Sequence, residues 1–221
     1  MKEADKRTSL IDNLVELEEN AALALVKAWL EDGGDPLEII EAAQQAMRLV
    51  GVRYEQRQYY ISGMMMAGEI FREVMDLVEP ELEKNLAGSE TGHILLGTVQ
   101  GDIHDIGKNI FNTLLRCHGF SVTDLGVDVR PELFVQEALR LRPDIIALSG
   151  LLTISYDSMK TTVQQVRRHE NPKINAIPFI IGGGTVNAMV CSFVGAEVWA
   201  SDAMYGVHLC KQIISERNEH R

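Results

Sequence analysis

Basic charge, cysteine and long apolar runs are all scarce in this chain. Against 32 Asp and Glu stand 21 Lys and Arg, a formal net charge of −11. Nucleic acids and anionic membrane surfaces attract basic patches, so neither is expected as a main partner. The three cysteines, Cys117, Cys191 and Cys210, are odd in number and include no Cys-x-x-Cys pair. That excludes a disulfide framework and points to reduced thiols in a cytoplasmic protein; Cys117 and Cys210 read as helix residues without nucleophilic activation. No run of about 18 apolar residues suggests a membrane span. The opening Met1-Lys2-Glu3-Ala4-Asp5-Lys6-Arg7 lacks the apolar stretch of a signal peptide. Internal repeats and low-complexity tracts are also missing. What remains is a 221-residue chain, 46% hydrophobic, with core enough for one large domain or two small ones. Its expected partners are other proteins and a small molecule.

The apolar pattern divides the chain in two. As far as about Asn85 it is helical. Leu10, Leu14 and Leu17, then Ala21, Leu25 and Ala28, recur at three to four residues, with a break near Glu18–Asn20 and Asn20 as a candidate N-cap. Gly33-Gly34-Asp35-Pro36 ends that pair and opens a third helix with Pro36 at its first position. Ile39, Ile40, Ala43, Met47 and Val50 supply its face. A fourth helix runs within Tyr59–Leu86 through Met66, Ile70, Val74, Leu77 and Val78, with Pro80 a candidate kink. Four short helices with tight links predict a bundle. Gly88-Ser89-Glu90-Thr91-Gly92 reads as a linker, which gives a helical domain over 1–88 and a second domain over 89–221. In the second, strands are expected at His93–Val99, Ser121–Leu125, Ile145–Ser149, Phe179–Ile181 and Glu197–Trp199. Helices are expected near Lys108–His118, Pro131–Leu141, Tyr156–His169, Val186–Phe193 and Ala203–Ser215. Short apolar strands alternating with helices imply an α/β, flavodoxin-like (Rossmann-type) five-stranded parallel sheet in the order 2-1-3-4-5.

Four features then fall at C-terminal strand ends, hence on one edge of that sheet, where open α/β folds bind ligands. The first is Gly101-Asp102-Ile103-His104-Asp105-Ile106-Gly107-Lys108-Asn109, one imidazole flanked by two carboxylates before a helix. A carboxylate two residues away can hold one ring nitrogen and leave the other for a metal. The others are Leu148-Ser149-Gly150-Leu151-Leu152-Thr153-Ile154-Ser155, Ile181-Gly182-Gly183-Gly184-Thr185 and Ser201-Asp202-Ala203. Glycines at such ends let a bulky ligand approach the backbone. Read alone, Asp105 is an exposed or helix-capping acid, and His93, His118, His169, His208 and His220 are ordinary histidines.

Asp-x-His-x-x-Gly in this context resembles the signature of cobalamin-binding domains. From about Ile94 onward the chain is similar to the cobalamin domain of methionine synthase and of the corrinoid proteins of methyltransferase systems. Gly51-Val52-Arg53-Tyr54 and Tyr59-Tyr60-Ile61 resemble the helical cap before it, although Tyr60-Ile61-Ser62 stands where that family often has Phe-Leu-Pro. The resemblance implies a cobalamin cofactor, a corrinoid whose cobalt carries the methyl group. His104 would be its lower axial ligand, displacing the cofactor's own base, with Asp102 bonded to the other ring nitrogen. Ser155 would be the third member of a proton relay coupled to cobalt's state. It further implies cofactor contacts at Gly101, Ile103, Asp105, Gly107, Asp202 and Ala203, a tail slot lined by Ser149, Leu151, Thr153, Gly182 and Gly183, and a cover from Tyr60. Met64-Met65-Met66 is shared between that cover and the bundle core.

The function implied is methyl carriage between a substrate-specific methyltransferase and an acceptor methyltransferase using tetrahydrofolate or coenzyme M, with a reductive activation protein as a third partner. The chain is too short to include a donor-binding barrel, so the partners are separate; a homodimer is left open. A cobalamin sensor module would usually carry a DNA-binding element, and no basic helix is present. The small subunit of an adenosylcobalamin-dependent mutase would generally lack the helical half.

Overall fold

Strand Ile145–Ser149 is apolar on both faces, as a strand covered by helices on each side must be. The computed structural model describes residues 3–83 and 91–219, which form two compact units, the first segment lying in one and the second in the other. Residues 88–90 of the expected linker lie outside the described residues.

The first unit is four helices, α1 (Glu3–Val15), α2 (Glu19–Glu31), α3 (Pro36–Glu55) and α4 (Ile61–Glu83). Asp35 caps α3, its carboxylate accepting from the Leu37 N–H at 2.9 Å, with Pro36 following at the first helical position. Asn20 is not an N-cap; Glu18 holds that place, without a side-chain bond. Leu17 turns the chain at φ +61°, so α2 restarts in a new phase. Its buried residues are Ala22, Val26 and Trp29, not Ala21, Leu25 and Ala28. Ile39, Ile40, Ala43 and Val50 of α3 and Ile70, Val74 and Val78 of α4 are core, as their spacing predicts. Met66, expected on that face, is exposed with Met65. The α4 helix runs on through Pro80.

The second unit contains β1 (Gly92–Thr98), α5 (Ile106–Cys117), β2 (Phe120–Asp124), α6 (Pro131–Leu141), β3 (Ile145–Ser149) and α7 (Ser155–Arg167). It continues with α8 (Pro172–Asn175), β4 (Phe179–Gly182), α9 (Ala188–Val194), β5 (Val198–Ala200) and α10 (Ala203–Glu219). The sheet order is β2-β1-β3-β4-β5, all parallel. Alternation sends Leu95, Ile146, Leu148, Phe179 and Ile181 into one core with Phe134 of α6, Met159 and Val163 of α7 and Val194 of α9. The alternate strand residues Ile94, Leu96, Ile145 and Ile180 are equally buried, and α5 packs on α10. The α8 turn, capped by Asn171, was not expected, and α9 begins at Ala188 because Asn187 accepts from the Met189 and Val190 N–H groups. Thr98, Ser149, Gly182 and Ala200 stand in one row across four strands. Every loop beyond that row opens on the same edge. No helix among the described residues is long and apolar enough to cross a membrane.

Candidate functional site

The chain leaves β1 through Val99, whose N–H donates to the Ser149 carbonyl at 3.0 Å, and turns at Gly101, where φ is +86° and a side chain would be strained. The turn drives Asp102 inward until it is 1% exposed. A buried carboxylate must find donors, and Asp102 has four. Oδ1 accepts from the His104 N–H (3.0 Å) and from His104 Nδ1 (2.6 Å), and Oδ2 accepts from the N–H groups of Leu151 (2.6 Å) and Leu152 (3.0 Å). One side chain thus ties the loop after β1 to the loop after β3. Burial pushes its carboxyl up, but the bonds from Leu152, from the His104 backbone and ring and from Leu151 outweigh it and hold the group at about 2. Ionised at neutral pH, Asp102 can only accept, so Nδ1 carries the hydrogen; in the neutral tautomer that this bond selects, the lone pair is on Nε2. No described residue hydrogen-bonds Nε2, and 48% of the His104 side chain is exposed.

Ser155 is buried at the start of α7, where its hydroxyl donates to the Leu152 carbonyl; among the described residues no hydrogen bond joins it to Asp102. Asp102 Oδ2 accepts instead from the Leu151 and Leu152 N–H groups. Ser155 therefore shapes the turn that carries them. Asp105 occupies the N-cap position of α5 without a capping bond and accepts from the Asn109 side chain at 3.3 Å. The glycines do different things. A Cβ on Gly183, at φ +153°, would collide with the Gly150 carbonyl, and one on Gly150 would press on Ser155 and Met159. Both positions are closed to a side chain by their own neighbours. Gly107, near the start of α5, faces open space. Ser149 and Gly182 sit half-buried at their strand ends and Thr153 is exposed. Asp202 accepts from the Tyr205 N–H at 2.9 Å, the bond of a helix cap, and Ala203 starts α10. Tyr60, in the helical unit, is 86% exposed, beside exposed Ile61 and Met65. Burial pushes the Cys210 thiol up to about 12, in keeping with an inert residue.

Two holding groups were not foreseen. The buried Thr98 hydroxyl donates to the His104 carbonyl at 3.0 Å, and Asp128 binds the Gly101 N–H at 2.8 Å. The available signal was the Gly126-Val127-Asp128 turn cluster, at the same sheet edge.

The residues fit a metal that brings its own equatorial ligands. Among the described residues no group of three or more His, Cys, Asp or Glu could hold a metal ion. A metal already held in a macrocycle would ask the protein for a single donor, which His104 Nε2 can supply. Around His104, the loops after β1 and β3 expose Ile103 (73%), Leu151, Leu152 and Ile154 (69%), an apolar set suited to a broad flat ligand.

Comparison with known proteins agrees. Two family models, each described as a B12 binding domain, match residues 92–206 and 7–79. The chain is 34% identical over 209 residues to trimethylamine corrinoid protein 2 of Methanosarcina acetivorans, covering 92% of this chain and 94% of that one. The structure of the monomethylamine corrinoid protein of Methanosarcina barkeri superposes with a TM-score of 0.84 at 28% identity, covering 92% of this chain and 96% of the other. A chain of the methanol:cobalamin methyltransferase complex of the same organism matches at a TM-score of 0.53 and 25% identity, covering 97% and 81%.

Proposed function

Because this chain belongs to the B12-binding family of corrinoid proteins, we propose that it is the methyl carrier of a methyltransferase system, holding its corrinoid through His104 with the cofactor's own base displaced. The observation that carries this reading is the division of the imidazole. Nδ1 is committed to a buried carboxylate at 2.6 Å, while Nε2 has no hydrogen-bond partner among the described residues and the ring is half-exposed. When bound, a corrinoid supplies a nucleophilic cobalt able to take up and hand on a methyl group.

The chain's own residues do the rest. Asp102 fixes the Nδ1–H tautomer, orients the ring and makes Nε2 more basic. Leu151 and Leu152 stabilise the carboxylate through their N–H groups, and with Ile103 and Ile154 they form an apolar seat that excludes water. The open space at Gly107 admits the nucleotide tail, with Ser149, Thr153 and Gly182 along its path and Gly101, Asp105, Gly183 and Ala203 supporting the surrounding backbone. Tyr60, exposed in the helical unit, is proposed as a further cofactor contact.

The named relatives point to a methylated amine as donor, delivered by a substrate-specific methyltransferase. The proposed acceptor is tetrahydrofolate or coenzyme M on a second methyltransferase, with a reductive activation protein to restore the carrier, all in the cytoplasm. Anaerobic reconstitution with cobalamin tests the reading. The loaded chain should show the absorbance of a base-off, histidine-ligated corrinoid, and H104A should lose that ligation. Methyl transfer from mono-, di- or trimethylamine with the matching methyltransferase then identifies the donor. A folded chain that takes up no cobalamin contradicts the proposal.

A further inference from the structure

Resting on that reading, we infer that Thr98 and Asp128 are positioning residues for His104, setting the backbone on either side of Asp102 so that the ring stands ready to coordinate. Neither hydrogen-bonds the imidazole, whose Nδ1 is held by Asp102. Thr98 ends β1 with its hydroxyl buried and donating to the His104 carbonyl at 3.0 Å. Its own backbone is pinned, the N–H to the Gly126 carbonyl (3.0 Å) and the carbonyl to the Val129 N–H (2.9 Å), so that hydroxyl has one place to be. Asp128 works from the opposite side of the loop. Its N–H donates to the Asp102 carbonyl at 3.0 Å and its Oδ1 accepts from the Gly101 N–H at 2.8 Å. To make both bonds it adopts φ +53°, a left-handed conformation that costs any L-residue free energy and persists only where neighbours enforce it.

The enforcing structure is visible. Asp124, at the end of β2, pairs with Lys108 of α5, whose side chain is almost fully buried, and accepts from the Gly126 N–H at 2.9 Å. Residues 124–129 thus form a strut from α5 to the histidine loop. Asp102 clamps the ring, and Thr98 and Asp128 hold the peptide from which Asp102 and His104 both hang. A loosely held axial ligand loses part of its coordination to orientational freedom.

The test uses the full chain labelled with 15N-histidine, loaded with Co(II) cobalamin and read by electron paramagnetic resonance, which gives the ratio of histidine-ligated to unligated cobalt. T98V keeps the shape and removes the donor. D128G removes the acceptor and relieves the positive φ. Each should lower the ratio about fivefold to tenfold, the size expected for one lost hydrogen bond. T98S, which restores the donor, and D128N, which keeps an acceptor and tolerates the left-handed region, should recover it. In the cobalamin-free chain, amide exchange at Gly101 should speed up in D128G. Should T98V fail to fold, the exposed Asp128 carries the test. Wild-type ratios in both T98V and D128G, with or without a lower unfolding midpoint, overturn these roles and leave His104 standing. A wild-type chain that takes up cobalamin without any 15N coupling removes the His104 reading, and these roles with it.

Discussion

Asp102 holds four donors with two oxygens, so it cannot be exchanged for its own amide. In D102N the new NH₂ must face either the His104 or the Leu151–Leu152 donors. That leaves donors unmatched in a buried site, at a cost of about 2–3 kcal/mol, measurable by denaturant unfolding. The same carboxyl gives a pH signature. Its folded value is held below the ordinary 3.8, at about 2. Its contribution to stability is therefore complete above 3.8 and is lost as pH falls through about 2. Acid titration of the unfolding free energy should show this loss in the wild type and not in D102N. The glycines separate just as sharply. G183A meets the Gly150 carbonyl at a backbone angle already unsuited to a side chain, and should destabilise by about 3 kcal/mol. G107A meets nothing, so it should fold normally and weaken cobalamin uptake, as equilibrium binding would report.

At the scale of the element, strands were easier to read than helix phase. Short apolar runs such as Ile145–Ser149 have a single solution inside a covered sheet, and the order 2-1-3-4-5 followed from five of them. The α2 helix was misphased because the turn at Leu17 depends on one left-handed residue, and leucine carries no turn signal. The α8 turn was overlooked although Asn171-Pro172 is a cap followed by a first-turn proline. The His104–Asp102 pair was legible because the two residues are near in sequence. The partnership of Asp102 with Leu151 and Leu152 was not, since backbone donors 49 and 50 residues away have no side-chain signature. Where local chemistry was legible it can be tested locally. D35A removes the α3 cap and should cost the helical unit about 1 kcal/mol, seen as a lower thermal midpoint for the helical signal.

For the whole molecule, the net charge of −11 suits oppositely charged docking faces on the partners proposed above. Association with a partner methyltransferase should then slow as salt is raised, with dissociation changing less; stopped-flow mixing at several ionic strengths checks this. The account depends most on what lies beneath the cobalt. Continuous-wave electron paramagnetic resonance of the Co(II)-loaded, 15N-histidine-labelled chain reads that ligand directly. A doublet splitting from 15N, abolished in H104A, is the predicted result. A triplet from the 14N of the cofactor's own base, unchanged in H104A, would contradict it.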